Sequence, residues 1–174
     1  MPTNATPAAR SLPNVTSESI LVEHIRIESA KPYSEARAAL ERLPHFDNGI
    51  RSLLQQGDVE RVKSALRRVQ GEAGLVIFSM ATHGDWLQIL SRQRNVLQYV
   101  IGNVLVSTQM TQHELAAALY APLRIVLYEN RQGTATFECD RPSTLFGQYR
   151  NDRVTEVARE LDRKIFDALI KAAT

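Results

Sequence analysis

Residues 123–140, "LRIVLYENRQGTATFECD", decide the fold. The runs 123–129 and 134–140 alternate apolar with polar side chains, the period of a half-buried strand. Between them lie Asn130 and Gly133 with two polar residues, which suit a tight reversal of the chain. The stretch therefore predicts a β-hairpin, two antiparallel strands joined directly. A wholly parallel sheet, which needs a helical crossover after every strand, is excluded.

Working outward, "DRVTEVARELDRKIFDALIKAA" (152–173) places Val154, Val157, Leu161, Ile165, Ala168, Leu169 and Ala172 on one stripe of a long helix. On its exposed side Glu160 precedes Lys164 by one turn, a favourable pair. Upstream of the hairpin, "LQYVIGN" (97–103) reads as a strand. Thr111-Gln112-His113-Glu114 has the pattern of a capping box opening a short helix through Leu119, which Ala121-Pro122 ends. "GLVIFSM" (74–80) is continuously apolar, as a fully buried central strand would be. Asp85 and Gln88, three apart, predict a capped helix through about Gln93. "DVERVKSALRRVQ" (58–70) carries Val59, Val62, Leu66 and Val69 on one face, with Asp58 as cap and Gly71 past its end. A helical turn is expected at 50–55. "SEARAALERL" (34–43) is a helix that Ser34 caps and Pro44 stops. "SESILVEHIRIES" (17–29) is rich in β-branched residues and predicts a strand. Residues 1–17, with three prolines among small polar residues, read as a disordered leader, and 18–174 as a single domain.

The order is strand, helix, helix, strand, helix, strand, short helix, hairpin, helix. That sequence of elements predicts an α+β fold of two layers, a mixed or antiparallel sheet with helices packed on it.

Composition narrows the function. The 174 residues hold one cysteine, Cys139, so no disulfide forms within the chain. No apolar run approaches a membrane span and no secretory signal is visible, which points to a cytoplasmic protein. The net charge is +2, with arginines spread along the chain among acids and no interleaved aromatic residues. That balance argues against nucleic acid as a partner. Neither GxGxxG nor GxxxxGK[ST] occurs, and no GxSxG elbow. The four histidines lie in dissimilar settings and no HExxH or paired CxxC exists, so no metal or cofactor is expected. Cys139 falls in phase with Ala135 and Phe137 and reads as a small buried hydrophobe.

What remains is a corner. His83-Gly84 stands between the 74–80 strand and the helix after Asp85, where unpaired amides would favour an anion or a carbonyl oxygen. A histidine there tends to stay neutral and to hydrogen-bond. Asp85 has a sufficient role as a cap, and His83 could equally bond to backbone.

In this order, "THGDWLQ", "YVIGN", "QM", "YAPLRIVLYE", "DRPSTLFGQ" and "VARELDRKI" resemble the domain of unknown function 302 family, over roughly 19–170. The resemblance implies a compact two-layer α+β fold, often a homodimer, and implies no activity. The family's recurrent polar positions fall on His83, Gly102, Asn103 and Met110, with Pro122-Leu123-Arg124 entering the hairpin. Many relatives have proline after Gly-Asn, where Val104 stands here.

If the strands from 74 and 97 are neighbours, His83, Asp85, Asn103, Gln109, Met110 and His113 converge on one rim. Arg124 adds charge if it faces the same way. Such a rim would hold a small polar or anionic ligand, making the chain a small-molecule-binding or sensory module. Two other readings stand beside it. One is an enzyme with His83 as general base oriented by Asp85. The other is a structural dimer module using the apolar face of the 152–173 helix between subunits.

Overall fold

The computed structural model describes residues 13–174. The 1–12 part of the expected leader lies outside the described residues; 13–17 are exposed and without regular structure. The strands are β1 (His24–Pro32), β2 (Val76–Ala81), β3 (Val96–Gly102), β4 (Leu123–Glu129) and β5 (Thr134–Asp140). They form one five-stranded sheet in the order β1-β5-β4-β3-β2, with every neighbouring pair antiparallel. The helices are α1 (Tyr33–Leu40), α2 (Gly49–Gln55), α3 (Val59–Val69), α4 (His83–Trp86), α5 (Val104–Thr111), α6 (Pro142–Gly147) and α7 (Asp152–Ala173). The α+β class and the antiparallel sheet agree with the sequence reading.

The hairpin forms as its alternation predicts. Leu123, Ile125 and Leu127 with Ala135, Phe137 and Cys139 turn inward, and Arg124 and Asp140 outward. Asn130 closes the turn: its Oδ1 accepts from the Gln132 and Thr134 amides at 3.0 and 3.1 Å. Helix α7 lays its stripe of Val154, Ala158, Leu161, Ile165, Leu169 and Ala172 into this core. That stripe is consumed within the chain, so the expected use of this helix face between subunits is corrected. A second cluster joins Ile50, Val62, Ala65 and Leu66 of α2 and α3 to Val104 and Leu105 of α5. The opposite face of the sheet carries His24, Arg26 and Glu28 beside Glu138 and Asp140, all in hydrogen bonds or ion pairs.

Four local readings are corrected. The first strand begins at His24, because its last rung is His24 opposite Asp140, where β5 ends. Ser34 does not cap α1: Pro32 occupies that position with φ −53° and the helix begins at Tyr33. β2 is an edge strand, not a central one. Its first half looks central because residues 44–46 cover the edge: Phe46 N donates to Ile77 O and Ile77 N to Pro44 O, both at 2.9 Å. Past a register shift between Ile77 and Ser79, residues 79–81 are exposed. The helix expected to Gln93 is one turn of α4 and a 3₁₀ turn over Leu87–Leu90, ended by Ser91 in the left-handed region at φ 53°. Thr82 stands at its N-cap position, so Asp85 lies inside the turn and is no cap. Asp58 does cap α3, accepting from Arg61 N at 3.1 Å.

Candidate functional site

The rim expected around His83 is not formed. Ala81 pairs with Gln98 and Val76 with Gly102, so β3 begins beside the His83 corner and ends at Asn103. Seven residues of strand at ~3.3 Å each separate the two ends by about 20 Å. His83 is exposed at one end of the sheet. Its neighbour Gly84 is buried against the Arg94 carbonyl, and a Cβ there would also stand 3.0 Å from Val96 N. Gly84 thus makes a backbone-to-backbone contact that any side chain would block. Asp85 is exposed, and its charge is among the influences that push the Tyr33 phenol up, after burial, which is the largest.

At the other end Asn103 is buried and fully used. Its Oδ1 accepts from Val106 N at 3.1 Å, capping α5; its Nδ2 donates to Gln70 Oε1 at 2.6 Å and to Gly74 O at 2.7 Å. Gly102, Asn103, Met110 and Pro122 surround a crevice of about 20 Å³, space for little more than one water. Met110 is fully buried core. Gly102, Asn103, Met110 and Pro122 thus meet in a packing node that joins α5, β2 and β3. Helix α5 was not foreseen, because Gly102-Asn103 also fits a turn; the signal was Asn as an N-cap.

Gln109 and His113 are exposed around the end of α5, and Glu114 caps the following 3₁₀ turn by accepting from Ala116 N at 3.1 Å. Arg124 lies in the exposed series of β4, over a shallow hollow shared with Asp140 and Leu119. None of these residues lines the crevice at Asn103. Cys139 is buried, and burial pushes its thiol up to about 11, as expected of a structural cysteine. Among the described residues no group of three or more His, Cys, Asp or Glu is arranged to hold a metal ion. No helix there is long and apolar enough to cross a membrane.

The larger recess lies elsewhere. A groove of about 550 Å³ runs over the hairpin end, between β1, the 129–134 turn and Arg94. Arg26, Arg94 and Arg131 line it with Glu28, Glu129 and Tyr128. Arg26 is held by Glu28 at 3.3 Å and Glu138 at 3.6 Å, whereas Arg94 and Arg131 have no ion pair among the described residues. Glu129 accepts from Asn95 Nδ2 at 2.7 Å, which fixes it on the wall. Tyr128 donates to Glu138 Oε1 at 2.7 Å, and burial with that bond pushes the phenol up. Sequence reasoning missed this groove because Arg26, Arg94 and Arg131 are far apart in the chain and each reads singly as a solvated side chain.

A partly buried polar chain lies on the helix side. Tyr99 donates to Glu41 Oε1 at 2.9 Å, and Arg37 Nε donates to the same oxygen at 2.9 Å. Burial and the Glu41 contact push Tyr99 up, so it is a neutral donor that ties α1 to β3.

A two-layer α+β domain with a five-stranded antiparallel sheet defines the class. The family model described as "Domain of unknown function DUF302" matches residues 52–172, and the chain belongs to that family. Among solved structures it is similar to the crystal structure of an uncharacterized conserved protein DUF302 from Bacillus stearothermophilus. The TM-score is 0.61 and the identity 15%, over 86% of this chain and 97% of that one. At that identity the likeness is one of fold. A comparison with curated proteins finds no match.

Proposed function

We propose that the chain is a small-ligand module that takes anions in the groove over the hairpin end. The observation that carries this is the pair Arg94 and Arg131, two guanidiniums without ion-pair partners among the described residues, on the wall of a 550 Å³ recess. Guanidinium groups bind carboxylate or phosphate through paired N–H donors. Arg26 is already paired with Glu28 and Glu138, so the positive charge open to a ligand rests on Arg94 and Arg131. Titration calorimetry with phosphate and with succinate tests the reading. Binding should weaken at least tenfold in Arg94→Ala and in Arg131→Ala, and should fall with salt. Equal binding in the variants, or none in the wild type, overturns it.

A second reading, an interaction module that pairs with another copy of itself, rests on a different observation. Trp86, Ile89 and Leu90 are 71%, 78% and 66% exposed, beside the open, uncharged end of the β2 edge at Ser79–Ala81. Trp86 and Ile89, three residues apart, share a side of one turn, and contiguous exposed apolar surface commonly marks an interface. Because Trp86 is the one tryptophan, its fluorescence reports directly. Sedimentation should give a dimer that Trp86→Ser dissociates, with a red shift of emission on dilution. A monomer at millimolar concentration overturns this reading and leaves the first untouched.

A further inference from the structure

We infer that a second recess, lined by none of the predicted site residues, is a site for a small amphipathic carboxylate. The recess has a volume of about 290 Å³ and lies between the end of α1, the 71–73 loop and the last turns of α7. It exists because small residues stand where three elements meet: Ala39, Ala73, Ala168 and Ala172 leave a hollow that larger side chains would fill. Leu40 and Ala172, each 1% exposed, make its floor, and Leu43 and Pro44 one wall. Water in such a hollow meets few polar partners, so displacing it by an alkyl chain is favourable. The volume is near the lower end of small-molecule sites.

The rim supplies the polar end. Arg42 and Lys171 both line the recess, both are exposed, and neither has an ion pair among the described residues. Glu72 is the acid that shares the lining, leaving an excess of one positive charge. Two of the terminal carbonyls of α7 already accept hydrogen bonds within the chain. Ile170 O accepts from Thr174 N and Oγ1, each at 2.9 Å, and Ala173 O accepts from Ser29 Oγ at 2.6 Å. An apolar floor under two unpaired cations matches one chemistry, an alkyl chain ending in a carboxylate. The inference is independent of the hairpin groove, since the two recesses share no lining residue.

The test uses octanoate below its micellar concentration, with octylammonium as the charge-reversed probe, read by amide NMR shifts. Octanoate should move the amides of 39–43, 71–73 and 168–172 in a saturable manner, and octylammonium should bind at least tenfold more weakly. Arg42→Ala with Lys171→Ala should weaken octanoate at least tenfold without changing the far-UV spectrum. Ala168→Leu, which fills the hollow, should abolish it. If that variant fails to fold, the double variant decides, both its changes being on exposed side chains. Shifts confined to Arg94 and Arg131, equal binding of the two probes, or undiminished binding by the double variant would overturn the assignment.

Discussion

Gly84 sits with its Cα against the carbonyl of Arg94, so closely that no β-carbon fits between them. That contact pins the α4 turn to the start of β3 and fixes the backbone that carries Arg94 into the hairpin groove. Gly84→Ala must push two stretches of backbone apart. We expect a loss of about 2–3 kcal/mol, in the range of overpacking elsewhere, read as a lower urea midpoint. The same variant should weaken anion binding at the groove.

Asn103 is the node at the other end of the sheet, with donors and acceptor all engaged. Asn103→Ala loses a cap and leaves the Gly74 carbonyl buried without its donor, for about 2–3 kcal/mol. At an exposed cap Asp would replace Asn with little loss. Here Asn103→Asp keeps the acceptor for Val106 N but turns an oxygen toward Gln70 Oε1 and Gly74 O. It should be at least as destabilising as alanine at neutral pH and recover as pH falls. Urea midpoints at two pH values check both.

The two aspartates read as caps differ in the structure. Asp58 accepts from the Arg61 amide, and Asp58→Ala should cost about 1 kcal/mol. Asp85 caps nothing, and Asp85→Ala should change stability by less than about 0.5 kcal/mol. Equal losses in denaturation curves of the two variants would contradict the assignment.

On the open face His24 lies between Asp140 Oδ1 at 3.0 Å and Glu138 Oε2 at 3.2 Å. The Asp140 bond first, then the Glu138 bond, raise its pKa above the ordinary 6.5. The folded state therefore holds this proton more tightly than the unfolded chain. Its contribution is whole below about 6.5 and is lost as pH rises through the raised value. Glu138, lowered by its Tyr128 bond and then by His24, behaves oppositely: its contribution is present above the ordinary 4.5 and fades as pH falls through the lowered value. NMR titration of the His24 ring should give a midpoint above 6.5, returning toward it in Asp140→Asn. Because the ring is 58% exposed, solvent screens the pairs and the stability change is small.

The features legible in the sequence are those written in neighbouring residues. The hairpin at 123–140, the α3 and α7 stripes and the Asp58 cap all rest on short spacings along the chain, where local geometry alone sets which side chains share a face. The resemblance singled out His83, Gly102, Asn103 and Met110, of which the structure packs the last three around one crevice and leaves His83 exposed.

Strand order was decided only by tertiary structure, and the site depended on it. Nothing local in "GLVIFSM" says that residues 44–46 cover half of its edge, so a peripheral strand reads as a central one. The antiparallel pairing of β2 with β3 then carries His83 and Asn103 to opposite ends of the sheet. Arg26, Arg94 and Arg131 come together at the hairpin end because β5 and β4 lie between β1 and β3, and Arg42 and Lys171 meet beside the alanine-lined hollow because α1 packs on α7. Periodicity reports which way one residue faces relative to its chain neighbours. Which distant residues share a cavity depends on how whole elements pair and pack, and burial of the common core settles that.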